Sequence, residues 1–391
     1  MSDAPHDSRS SETLPPRSES QMEKLLRHVS PEQIPASEDL YAPAELKAHL
    51  DALREPPLSL VAVGDIMLGG RARETLAREG ARHAFRAVRP LLRQAFIVLG
   101  NLEGPLAREA KKEDRNYSYK VKPKLAHGLS RAGLNVVTLA NNHLLDCGRA
   151  GVVETLDALK SARIASIGAG VDEPAAHVPA ILEAGRFRVG LLGYYWNLRC
   201  AATASLPGAA VGTRDALKTD VSSLREKVDR VVVTFHWGVP YEREPTPEAR
   251  ATAHFAVECG ADVVLGHHPH IVQPFEVHDG RPIFYSLGNF AFGSNNSRAE
   301  GLLVGIRFEE SETLAHAYPL YVKNRDPRVN HQPKVMRGAS AERVLRRLAE
   351  ISQPMGGRME LSGGRGTLRL PRVAPKAPVD RMSVKPQATG G

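Results

Sequence analysis

Three histidines within four positions, His267, His268 and His270, interrupt the stretch Val264-Leu-Gly-His-His-Pro-His-Ile-Val-Gln273. Imidazole is the commonest side-chain ligand for transition metals and carries protons near neutral pH. The run before the cluster is apolar and β-branched. That places the histidines at the carboxyl end of an expected buried strand, where open α/β sheets keep their chemistry. A lone histidine cluster could equally decorate a surface. Four more clusters of the same form argue otherwise. The run 58–63 leads into Gly64-Asp65-Ile66-Met67, and 96–99 leads into Gly100-Asn101-Leu102-Glu103. The run 135–139 leads into Ala140-Asn141-Asn142-His143-Leu-Leu-Asp146, and 231–235 leads into His236-Trp237-Gly238. Asp, Glu, Asn and His on neighbouring strand ends would converge on one rim, and that mixed nitrogen and oxygen set suits zinc, manganese or iron.

Each member has a simpler reading when taken alone. Asp65 could cap a turn or helix. Asn142 and His143 could stabilise a tight strand exit, and Trp237 could be a packing wall. Asp146 reads as a support for the site or a helix cap rather than a ligand. Gln273 and Asn289 read as amides that orient ligands or substrate. His267 reads as a bystander beside His268-Pro269-His270, and His254, His278 and His316 as surface or structural groups. Cys147, Cys200 and Cys259 are odd in number with no Cys-x-x-Cys pair, and Cys147 reads as a small filler.

These residues need a frame to bring them together. Short β-branched runs alternate with helical spacing at 148–162, 215–228 and 247–259, which fits a layered sheet with helices outside. A hairpin is expected over 178–192, turning at Ala184-Gly185-Arg186. Late strands over 282–308 and 317–322 are expected to build the second sheet. Upstream, Met22, Leu25, Leu26 and Val29, then Leu46, Leu50 and Leu53, suggest two short helices in a polar extension, residues 1–55. The core runs over 56–355 and ends in a helix at 340–351. Residues 356–391 are Gly/Pro-rich and basic and read as a flexible tail, with seven cationic side chains against Glu360 and Asp380.

The ordered series Gly64-Asp65-x-Met67, Asn101-Leu102-Glu103, Asn141-Asn142-His143-x-x-Asp146, His236-Trp237-Gly238, His268-Pro269-His270 and Tyr285-Ser-Leu-Gly-Asn289-Phe290 resembles the bacterial capsule-synthesis family CapA. That family is named for poly-γ-glutamate capsule production and is similar to the calcineurin-like metallophosphoesterases. The resemblance implies a four-layer α/β/β/α sandwich. It assigns Asp65, Glu103 (or Asn101 as the bridge), Asn142, His236, His268 and His270 as metal ligands and His143 as the general acid. Asp65 and His143 are then the catalytic pair, and Lys120 and Asn289 the substrate contacts. Lys120 comes from the stretch Tyr117–Lys122, which matches a family segment near the pocket; Lys122 also lies near the site motifs and could contact an anionic substrate, whereas Arg71 and Arg73 read as solvated. Two departures stand out. Met67 occupies the position of the histidine in a phosphoesterase Asp-x-His, and a thioether is a poor ligand for a borderline ion. Pro240 replaces a common family glutamate, with Glu242 and Glu244 nearby. One well-held divalent ion (manganese, zinc or iron) is therefore expected, with the first position weak or empty.

A chain of 391 residues at 42% hydrophobic and 25% charged is globular in character. It carries a net charge of +8, but the basic tail lacks interleaved aromatics, so no specific nucleic-acid partner is expected. No apolar stretch is long enough to span a bilayer and no signal-peptide core opens the chain, so no membrane anchor and a cytoplasmic location are expected. Three functional readings follow, each acting on a small-molecule, peptide or anionic-polymer substrate. They are a metal-dependent hydrolase or transferase on a phosphoester or γ-glutamyl-type bond, a metal-independent acid/base enzyme such as a peptide epimerase, and a non-catalytic polymer-binding assembly protein. Oligomeric state is left open.

Overall fold

The computed structural model describes residues 34–112, 118–293 and 300–373. The helix expected around Met22–Val29, Tyr117 and the chain after residue 373 lie outside the described residues.

Two sheets form the body. The larger runs in the order Glu360–Ser362, Arg365–Pro371, Glu312–Tyr321, Glu300–Phe308, Leu58–Met67, Ala95–Leu102, Val136–Thr138, Ala165–Ile167, with two short strands off this path. The smaller runs Phe275–His278, Arg281–Phe284, Val263–His267, Arg230–His236, Phe187–Tyr195, Ala180–Ala184. Every residue of Leu58–Met67 is buried, as expected for a strand covered on both faces. Its alternating side chains divide between two cores. Leu60 and Ala62 join Ile97, Leu99, Val232, Val263 and Leu265 in the core between the sheets. Val61 and Val63 join Leu129, Val152 and Leu159 under the helices Leu125–Ala132 and Gly148–Ser161. On the far side, Val231 and Val233 pack on Leu217, Val221 and Ala253 of the helices Arg214–Arg225 and Pro247–Glu258. Helix, sheet, sheet, helix is the four-layer sandwich the sequence leads one to expect.

The local signals act as written. Thr213 and Thr246 cap their helices, the hydroxyls accepting from Ala216 N at 3.1 Å and Ala249 N at 3.2 Å. The 178–192 hairpin is Ala180–Ala184 paired antiparallel with Phe187–Tyr195. The helix expected from Leu46, Leu50 and Leu53 is Pro43–Leu53, and Leu46 and Leu50 are buried in the main helical core.

Two expectations are corrected. The late strands do not all build the second sheet. Phe275–His278 and Arg281–Phe284 do, whereas Asn289–Phe292 crosses over to lie parallel to Leu58–Met67 and Glu300–Phe308 lies antiparallel to it. Strand-type alternation says nothing about which sheet accepts a strand. The proposed tail is also partly folded: Glu360–Ser362 and Arg365–Pro371 form a hairpin on the edge strand Glu312–Tyr321. Leu368 and Leu370 are buried, and the Arg365 guanidinium grips both carboxylate oxygens of Glu55. Its basic residues thus include structural ones, because a single apolar face and one half-buried ion pair outweigh the local Gly-Gly signal.

Candidate metal centre

Parallel pairing brings the polar clusters together. Leu58–Met67, Ala95–Leu102 and Val136–Thr138 are parallel neighbours in the large sheet; Phe187–Tyr195, Arg230–His236 and Val263–His267 are parallel neighbours in the small one. Their carboxyl ends meet across the inter-sheet seam. Two close backbone approaches within the sheets fix the strand ends that carry the site. A Cβ on Gly64 would lie 2.0 Å from Gly288 O, and one on Gly266 would lie 1.9 Å from Tyr285 O, so neither position can carry a side chain without movement.

Asp65 is fully buried and sits at the centre. Its Oδ1 accepts from Asn101 Nδ2 at 2.9 Å, and its Oδ2 lies 3.0 Å from His270 Nδ1. His270 Nδ1 is also 3.1 Å from Asn289 Oδ1, so two oxygens face one nitrogen and the proton belongs on Nδ1. Asn289 therefore orients His270. Asn101 Nδ2 reaches Glu103 Oε2 at 3.3 Å and His236 Nδ1 at 3.4 Å, tying both sheets together. His236 Nε2 meets Asn142 Oδ1 at 2.8 Å. Burial raises the Glu103 carboxyl above its ordinary range against the pull of His270. Burial would raise Asp65 too, but the His267 and His270 imidazoles beside it hold it well below the usual carboxylate range. Burial and then His270 lower His268 to about 4, and burial and then His268 lower His236. These two imidazoles are neutral at pH 7, the form that binds metal.

The donor set fits an ion. Ligand atoms of Glu103, His268 and His270 lie within 4.8 Å of one another. Among the described residues, Glu103 Oε1 and His268 Nδ1 are buried without a hydrogen-bond partner. His268 and His270 both adopt positive φ, 98° and 57°, an uncommon conformation for residues that carry side chains. Met67 is buried with its sulfur accepting from Gly69 N at 3.2 Å, turned to the backbone rather than offered as a ligand.

His143 occupies the rim. Its Nδ1 lies 2.8 Å from Asp146 Oδ2, and that oxygen also accepts from Tyr119 N at 2.7 Å. Its Nε2 is 3.7 Å from Glu103 Oε1, and the side chain keeps 14% exposure. An imidazole oriented by a carboxylate and open on its far nitrogen can hand a proton to a leaving oxygen. Asp146 is thus the support for His143. Asn141, which carried no role in the sequence reading, is fully buried; it donates to Asn101 Oδ1 at 3.0 Å and Leu102 O at 2.9 Å and accepts from His143 N. The Asn-Asn-His motif held that signal.

Several residues lie elsewhere than expected. Lys120 Nζ donates to Arg108 O at 2.7 Å and Ala110 O at 2.6 Å, so its ammonium pins a loop instead of offering itself to an anionic substrate. A flexible amine is captured by bare carbonyls whenever a turn presents two of them, which a linear motif does not reveal. Gln273 Nε2 donates to Glu242 O and Glu244 O, holding that loop while both glutamates are exposed. Trp237 is a packing wall, 3% exposed and stacked on Phe235. Cys147 is buried, its thiol raised to about 11 by burial. His267 is no bystander: it is 1% exposed, with Nδ1 3.3 Å from Asp65 Oδ1. A second group, His254, Glu276 and His278, is a structural network. The two imidazoles stack at 3.8 Å with planes 3° apart, so their in-plane lone pairs do not converge, and Glu276 binds Tyr285 OH at 2.7 Å.

A family model described as bacterial capsule synthesis protein PGA_cap matches residues 59–294. The chain belongs to this family. The capsule biosynthesis protein CapA of Bacillus anthracis is 34% identical over 283 residues, 69% of each chain. The PGA biosynthesis protein CapA of Bacillus subtilis (strain 168) is 31% identical over 246 residues, 62% of this chain and 65% of that one. Among solved structures, a 5'-nucleotidase from Candida albicans SC5314 superposes with a TM-score of 0.43 at 11% identity, covering 76% of this chain and 58% of that one. So loose a likeness carries no functional argument. Among the described residues, no helix is long and apolar enough to cross a membrane.

Proposed function

We propose that this capsule-synthesis family member serves capsule or poly-γ-glutamate production as a metal-dependent hydrolase or transferase acting on a phosphoester or γ-glutamyl-type bond. The observation that carries the reading is the compact Glu103, His268 and His270 group with buried, unpartnered donor atoms. Asp65, Glu103, Asn142, His236, His268 and His270 would hold manganese, zinc or iron. A bound ion would polarise the electrophile and lower the pKa of an attacking water. His143, oriented by Asp146, protonates the leaving oxygen. Asn289 positions His270 rather than substrate, and Lys120 takes no part.

Elemental analysis of purified protein beside His268→Ala tests this. The expected result is a stoichiometric divalent ion that the variant loses. No ion in either protein after reconstitution with manganese or zinc would overturn it. The His143–Asp146 pair also supports a second reading, metal-independent proton transfer at an acidic carbon; turnover that survives chelation and fails in His143→Gln would favour it.

A further inference from the structure

One buried donor is unused by that reading. His267 ends the Val263–His267 strand in direct parallel register with His236, so the pleat turns both imidazoles to the same face. Among the described residues neither ring nitrogen of His267 has a well-aligned hydrogen-bond partner. Leaving a buried polar group unsatisfied is costly, and a protein sheds such a group unless it has another use.

The contact with Asp65 indicates the use. Nδ1 stands 3.3 Å from Asp65 Oδ1, the oxygen that already receives Asn101 Nδ2. A charge-assisted N–H···O bond closes to about 2.7–2.9 Å. Two ligands of one tetrahedral ion, each at about 2.0–2.2 Å from it, sit about 3.3–3.6 Å apart. The separation therefore matches shared coordination better than a hydrogen bond. It also falls on the carboxylate of Asp65, two residues before Met67, whose sulfur is soft and engaged with Gly69 N.

We propose that His267 is the nitrogen ligand that, with Asp65, restores the first ion position that Met67 leaves without a histidine. The inference rests on the metal-dependent reading above and changes its stoichiometry: two ions per chain instead of one. His270, against the other oxygen of Asp65, and Glu103 stand beside this corner, and His236, His268 and Asn142 serve the other.

The test is titration of chelator-stripped full-length protein with cobalt(II), followed by calorimetry and by the visible absorption of the bound ion. Wild type should take up two equivalents. His267→Gln and His267→Leu should take up one, with a changed absorption envelope, while His268→Ala loses the other ion. His267→Leu removes both orphan nitrogens and should melt in chelator no lower than wild type, which separates ligand loss from misfolding. If wild type and both His267 variants bind the same number of ions with affinities within about threefold, well inside the tenfold or greater loss expected for even an outer-shell partner, the inference is overturned. If wild type binds one ion that His268→Ala alone removes, the His267 inference fails and the metal reading stands. If wild type binds none, both fail.

Discussion

Glu103→Gln separates the chemistry of this site from its cost. The carboxylate is fully buried, its Oε2 has a single long bond from Asn101, and its Oε1 has none. The nearest imidazoles, those of His143 and His270, each have Nε2 3.7 Å from Oε1, too far for a hydrogen bond. A buried acceptor left short of donors costs about 1–3 kcal/mol. The raised Glu103 pKa has the same origin, burial, and it sets the sign. The folded state holds this proton more tightly than the unfolded chain, so folding is penalised once pH rises above the ordinary glutamate value of 4.5. In chelator at pH 8, Glu103→Gln should therefore be more stable than wild type by about 1–3 kcal/mol. That advantage should vanish as pH falls towards 4.5, where wild-type Glu103 becomes neutral too. Added manganese should raise the urea midpoint of wild type, since a ligand bound only by the folded state stabilises it, and should raise that of the variant by less. Urea titrations at pH 8 and 4.5, with and without manganese, read all four quantities. A variant less stable than wild type in chelator at pH 8, or one stabilised by manganese as much as wild type, would refute the argument that Glu103 is kept charged for an ion.

Three further outcomes follow from the structure. His316 is lowered from 6.5 to about 4 by burial and then by Arg365; a base held neutral in the folded state loses its stabilisation as pH falls from 6.5 through 4, about 3 kcal/mol at 1.4 kcal/mol per unit. His316→Gln should remove that much of the acid sensitivity in denaturant titrations, and parallel pH profiles would contradict it. Gly64→Ala forces a methyl to within 2.0 Å of Gly288 O beside Asp65. It should cost about 1–3 kcal/mol or more and weaken metal uptake even where the protein folds, as read by calorimetry. Leu265→Ala opens the core between the sheets, where Leu265 is fully buried, and should cost about 2–5 kcal/mol by urea denaturation while leaving the ligand residues unchanged.

How much of the site was legible follows from how each residue is held. Asp65, Glu103, His143, His236 and His268 could be read because each ends a run of buried β-branched residues, and parallel strands put their carboxyl ends on one rim. The family series made the same assignment. Asn141 was readable only as part of its motif, since its work is to hydrogen-bond Asn101 from the next strand. Lys120 was misjudged because the carbonyls of Arg108 and Ala110 that capture it are brought there by a turn, not by the lysine's own neighbours. The 360–371 hairpin was missed because its ion-pair partner, Glu55, lies about three hundred residues away along the chain.

The sequence alone determined the core strands that end in polar clusters, the helices near 148–162, 215–228 and 247–259, that the chain is a layered α/β domain, and which polar residues sit at strand ends. Those properties depend on periodicity and on side-chain type within a few positions. Only the tertiary structure decided which sheet accepts Asn289–Phe292, that Asn101 bridges the two sheets, and that His267 turns inward towards Asp65. Each of those outcomes depends on how the two sheets are set against one another, and that relation is fixed by the interdigitation of Leu60, Leu99, Val232 and Leu265 across the seam, not by any residue's local context.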